Sequence, residues 1–218
     1  MKISKQTLEV LKNFATINTN ILVREGNNLS TISTGKNIFA RSEVKESFPK
    51  EFAIYDLNSL LSLLTLMEDT DVEFGDESLV VTKGNSRFEY FYADPNIIVS
   101  APDKSIEVDT FFQFDLTKED VDMILKAAAI TAGPMLSVVG DNGEVVVSVG
   151  DPSTPKSNSF RQVIGNTDKT FDAKLAMENF KVIPGSYSVT LSQKKFMFLE
   201  SSKGDLKYWL ALERTSDI

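Results

Sequence analysis

The chain of 218 residues contains no cysteine, no histidine and a single tryptophan. Without cysteine there are no disulfides, no thiolate nucleophile and no zinc site built on sulfur. Without histidine there is no Ser-His-Asp triad, no Cys-His pair, no HExxH metal site and no imidazole base near neutral pH. An enzyme made from this chain would have to work with carboxylates, lysine, tyrosine or a hard metal. Long hydrophobic runs are missing as well. The most apolar stretch, LNSLLSLLTLM at 57–67, is too short to cross a bilayer and is broken by Asn, Ser and Thr. The opening MKISKQ has no apolar segment behind its charges, so it does not read as a secretion signal. A soluble protein inside the cell is expected, with no membrane partner.

Positive charge is also in deficit: 23 Lys and Arg stand against 31 Asp and Glu, a formal net charge of −8. The 42% hydrophobic and 10% aromatic content is that of a folded chain. The length allows one large domain or two smaller ones, each able to bury a core. The acids gather at turns, Asp69, Asp71 and Glu73 in one place and Asp141 with Glu144 in another. Such groups read as solvated loops, so no metal and no cofactor are expected. Gly35-Lys36 lacks both the upstream glycine and the following Ser or Thr of a phosphate-binding loop.

Four segments carry a helical period: 4–16, 56–69 with Asp56 as N-cap, 117–130 opened by Thr117 and Asp120 as a capping box, and 172–183 stopped by Pro184-Gly185. Between them the chain alternates and turns as antiparallel strands do. A hairpin is expected around Gly35, and three short strands turn at Gly75-Asp76 and Gly84-Asn85. A tight turn of type I′ is expected at Asp141-Asn142-Gly143, and three more strands over 186–214. The same order recurs at an offset near half the chain length, which predicts two similar domains. The boundaries read as 1–100 and 112–218, joined by a link at 101–111.

On the first helix Lys5 and Lys12 fall on one side, seven residues apart. The fourth expected helix repeats that spacing with Lys174 and Lys181, and the third offers Lys118 and Lys126 among Glu119, Asp120 and Asp122. The second carries the neutral row Asn58, Ser62 and Thr65. One reading is a solvated amphipathic surface with lysines balancing nearby acids. The other is a mildly basic face on an acidic protein, suited to loose contact with a nucleic-acid backbone and not to reading bases.

The stretches KNFATIN and AIYDLN resemble the opening of the sliding clamps of T4-like bacteriophages, ring-shaped DNA polymerase processivity factors. ENFKVIPGSYSVTL and KYWLALE resemble the end of that family more loosely. The resemblance implies an α+β DNA-clamp fold: two domains, each of two βαβββ units, with helices lining the hole of a ring and sheets outside. It implies a homotrimer that encircles double-stranded DNA and tethers the replicative DNA polymerase, loaded by a separate ATP-driven clamp loader. Contact with the transcription machinery is a further partner known for such clamps. The setting implied is the cytoplasm of the infected host bacterium. By position Lys5, Lys12, Lys118, Lys126, Lys174 and Lys181 would face DNA. A partner-peptide pocket beside the link would draw on Ile32, Ile38, Ile106, Val108, Trp209 and Ala211. The alternative is a clamp-fold peptide-binding or structural protein that forms no ring around DNA.

Overall fold

The computed structural model describes residues 1–103, 106–154 and 156–218. The chain divides into two compact units, Met1–Lys104 and Ser105–Ile218. Lys104 and Ser105, part of the expected link, lie outside the described residues.

The first unit begins with α1 (Lys5–Ile17), capped by Ser4, whose hydroxyl accepts a hydrogen bond from the Thr7 N–H at 3.3 Å. A helix start leaves four N–H groups without helical partners. Here a carboxylate from elsewhere takes up part of that deficit: Glu46 accepts from the Ser4 N–H and from the Thr7 hydroxyl. Val10, Leu11, Phe14 and Ile17 form the buried stripe of α1. The chain continues through β1 (Ile21–Val23), β2 (Gly26–Ile32), β3 (Ile38–Phe48) and β4 (Phe52–Ile54). Asp56 then caps α2 (Leu57–Leu66), its Oδ1 accepting from the Asn58 N–H at 3.0 Å and the Ser59 N–H at 3.2 Å. A meander of β5 (Val72–Phe74), β6 (Ser78–Lys83) and β7 (Ser86–Phe91) closes the unit. Phe14, Ile21, Ile54, Leu57 and Leu79 are fully buried, each contributing roughly 1.5–3 kcal/mol by removal from water.

Each half of this unit lends its first residues to the other half. β4 pairs antiparallel with β1, Ile21 opposite Ile54 and Val23 opposite Phe52. Met1 and Val72 exchange two backbone hydrogen bonds, of 2.8 and 2.9 Å.

The second unit repeats that exchange with longer strands. It runs β8 (Phe112–Leu116), α3 (Lys118–Thr131), β9 (Met135–Asp141), β10 (Glu144–Gly150), β11 (Phe160–Asn166), β12 (Phe171–Ala176), β13 (Tyr187–Ser192), β14 (Phe196–Ser201) and β15 (Leu206–Ala211). β12 joins β9, and β8 joins β13, so the orders are β11-β10-β9-β12 and β15-β14-β13-β8. Asn142 (φ 51°) and Gly143 (φ 86°) make the β9–β10 turn, both in the positive-φ region that a type I′ turn requires.

The fourth expected helix is absent. Residues 172–183 form most of β12, a single 3₁₀ turn at Met177–Asn179 and an irregular run to Pro184. The burial has period two: Phe171, Ala173 and Leu175 are buried, while Asp172, Lys174 and Ala176 are only half-buried. Ala, Lys, Leu and Met all favour helix, but the ladder with β9 and the burial of three alternate residues override that preference. Gly140 makes room for the pairing, since a Cβ there would run into the Phe171 ring. The second half of this unit therefore has a 3₁₀ turn where βαβββ would place a helix.

Candidate nucleic-acid interface

Lys5, Glu9, Lys12 and Thr16 form the exposed row of α1. Lys5 is held loosely, with Nζ 3.9 Å from Glu68 and a side chain 91% exposed. Such a pair contributes little in water. Lys12 makes no ion pair among the described residues. It shares a shallow depression with Asn58, Leu61, Ser62, Thr65 and Leu66 of α2, so the cation sits beside the neutral row. Two hydroxyls of that row turn back on their own helix: Ser62 donates to the Asn58 carbonyl at 2.9 Å and Thr65 to the Leu61 carbonyl at 2.8 Å. The combined surface offers one exposed positive charge beside two hydroxyls whose donors are already engaged.

α3 presents its lysines differently. Lys118 pairs with Asp122 at 2.8 Å, and that hydrogen bond raises the lysine pKa. Lys126 is exposed, makes no ion pair among the described residues, and lies between Met123 and Ile130 on the same face. The helix start is capped and tied to a strand: Asp120 accepts from the Thr117 N–H at 2.9 Å and from Gln162 of β11 at 2.5 Å. Burial would raise the Asp120 pKa, but hydrogen bonds from Thr117 and Gln162 outweigh it and hold the carboxyl below its ordinary value.

Lys174 and Lys181 require a correction, because the helix that would have aligned them does not exist. In the β12-β9-β10 ladder Ala173, Val138 and Val147 share the buried face, with Val121, Ile124 and Ala127 of α3 also buried. Lys174 pairs opposite Ser137 on the other face, away from α3, and its Nζ lies 3.0 Å from Asp172. Lys181 is half-buried in the irregular run after the 3₁₀ turn. Lys174 therefore does not share a face with Lys118 and Lys126, and no helix aligns Lys181 with it.

In the first unit, Ile32 ends β2 half-buried and Ile38 opens β3 at 2% exposure. In the second, Ile106 is exposed, Val108 and Ala211 are half-buried, and Trp209 is buried with its ring centroid 5.0 Å from that of Phe198. Two positions that the sequence did not single out tie together segments distant in the chain. Asp109 accepts from the Ser192 hydroxyl and, at 3.1 Å, from the Gln193 N–H, fixing the run before β8 to the β13–β14 turn. The Ser192 hydrogen bond is the main reason its pKa is lowered. Glu46 is the other, and the signal for it was negative: the third helical position of α1 is Thr7, not an acid.

The architecture of paired α/β halves is that of the ring-forming DNA clamps. PCNA from Thermococcus kodakaraensis superimposes with a TM-score of 0.68 at 13% identity, covering 97% of this chain and 98% of that one. Proliferating cellular nuclear antigen from Entamoeba histolytica gives 0.67 at 15% identity, covering 94% of each chain. The DNA polymerase processivity factor family matches residues 3–100. The sliding clamp of Vibrio phage KVP40 is 30% identical across 98% of this chain and 99% of its own length. That of Enterobacteria phage T4 is 28% identical across 99% and 98%. The chain belongs to the sliding-clamp family of phage DNA polymerase processivity factors, which are not enzymes.

Proposed function

We propose that three copies of this chain close head to tail around double-stranded DNA and carry the replicative polymerase along it. The observation that supports this most is Lys12 beside the neutral row of α2. A ring that encircles DNA needs only to be unable to fall off, and every firm phosphate contact would anchor it and slow its sliding. Few unpaired lysines set among neutral groups, with the Ser62 and Thr65 hydroxyls bonded to their own helix, suit that task. Lys5 and Lys12 of α1, with Lys118 and Lys126 of α3, are the DNA-facing residues on this reading. The net charge of −8 disfavours DNA binding elsewhere on the surface.

Head-to-tail closure joins two different surfaces. β7 and β11 are edge strands that carry exposed apolar side chains, Phe88 and Phe91 on one and Val163 on the other. Such edges are avoided in monomers unless something covers them. The link runs over 101–111, between domains 1–100 and 112–218. Ile32 and Ile38 of the first unit, with Ile106, Val108 and Ala211 of the second, receive short apolar peptides from the polymerase, and Trp209 serves first as core packing against Phe198. The likeness to the phage clamps supports a separate ATP-driven loader that opens the ring, with the transcription machinery as a further partner. It works in the cytoplasm of the infected bacterium, and no helix among the described residues is long and apolar enough to cross a membrane.

The test is primer extension by the phage's own polymerase on circular single-stranded template, with and without this protein. Long products that require it support the reading; product length independent of it contradicts the reading.

A further inference from the structure

The turn after α1 joins more of the first unit than its length suggests. Asn18 is the C-cap of α1, only 6% exposed, and its N–H closes the helix on the Phe14 carbonyl at 2.9 Å. Its side-chain amide donates twice, to the Ile32 carbonyl at 2.9 Å and to the Val99 carbonyl at 3.0 Å. Its Oδ1 accepts from the Asn20 N–H at 2.9 Å. Asn20 in turn donates to the Tyr55 carbonyl at 2.6 Å, and the Thr19 carbonyl accepts from the Leu57 N–H at 2.8 Å. One three-residue turn thus ties together the end of α1, the start of α2, the end of β2 and the segment that leaves the unit. Arg24 holds that segment two residues further on, donating to the Ala101 carbonyl at 2.9 Å.

The chemistry admits few side chains at this position. Two carbonyls face it and need donors, and one N–H needs an acceptor. A primary amide on a single methylene supplies both from one planar group. Aspartate matches the shape but has no donor and sets a negative charge against two carbonyl oxygens. Glutamine keeps the amide and displaces it by a methylene.

We propose that Asn18 is a positioning residue for partner docking. It fixes Ile32 and Val99 against the end of α1, the helix that carries Lys12, while Thr19 and Asn20 of the same turn hold the start of α2, where the neutral row begins. The polymerase is thereby held in register with the surface facing DNA. This rests on the docking role of Ile32 proposed above.

The experiment compares Asn18→Asp with the parent chain by amide hydrogen exchange and by processive synthesis across a titration of the phage's polymerase. Exchange is expected to quicken by about tenfold at Ser33–Ile38 and Ala93–Ala101, while the Val10–Phe14 amides keep their protection. The polymerase concentration for half-maximal long product rises several-fold, and the plateau at saturating polymerase is retained. Faster exchange throughout the unit, α1 included, would make Asn18 an ordinary stability residue and overturn the proposal. A loosened hairpin with an unchanged polymerase requirement would overturn it as well. Asn18→Gln carries the same comparison if Asn18→Asp does not fold. A parent chain that gives no processive synthesis is failure of the functional reading itself, and that control is read before any variant.

Discussion

Glu46, on β3, accepts the backbone N–H of Ser4 and so closes from a strand the capping box that α1 leaves open in its own sequence. Burial would raise the Glu46 pKa, but the hydrogen bonds from Thr7 and Ser4 prevail and hold it below its ordinary value. A carboxylate whose folded pKa is depressed adds stability above its unfolded pKa. That stability is lost as pH falls through the folded one. Glu46→Ala is expected to cost about 1–3 kcal/mol at neutral pH. It should also flatten the loss of stability on acidification, as read by urea unfolding at a series of pH values. An unchanged acid limb would mean that the strand-to-helix cap is not formed in solution.

The lysines should separate by salt. Lys12→Ala with Lys126→Ala removes the two helix cations that make no ion pair among the described residues, and processive synthesis should fail at a lower salt concentration than for the parent. Removing one phosphate neutralisation changes the logarithmic salt slope by about 0.9. Lys174→Ala with Lys181→Ala should leave salt tolerance where it was. The reverse pattern would move the DNA face to the other side of the second unit's sheet.

Trp209→Ala is expected to act on folding first. The ring is buried against Phe198, and truncating a core aromatic costs about 3–5 kcal/mol. A lowered melting temperature with unaltered polymerase affinity below the transition is the predicted result. Unchanged melting together with weakened affinity would restore Trp209 as a direct docking residue.

Gly140→Ala tests the strand that replaced the fourth helix. The new Cβ would run into the Phe171 ring and approach the Lys169 carbonyl to 2.7 Å. Forcing it in should cost about 1–3 kcal/mol by thermal unfolding. A neutral substitution would contradict the β12–β9 pairing.

Where local chemistry and tertiary packing agree, the sequence was readable. Asp56 and Thr117 announce two helices and cap them in the structure, and Asn142-Gly143 announces the turn that forms there. The last helix misled because Ala173, Lys174, Leu175 and Ala176 are good helix formers placed in a strand, and only burial at alternate positions separates the two readings. The lysine row built on that helix went with it. Glu46, Asp109 and Asn18 were invisible for a different reason. Each acts on a partner distant in the chain, and nothing in the neighbouring residues marks a carboxylate or amide that will bond across a fold. Lys118 was legible as a helix cation, but its pairing with Asp122 removes part of its charge from any ligand.

The central claim is a closed ring of three, and light-scattering mass across a concentration series at moderate salt tests it most directly. One chain is 24.2 kDa. The expected result is a species of about 73 kDa that comes apart only on dilution. A mass that stays at 24.2 kDa up to high concentration would contradict it.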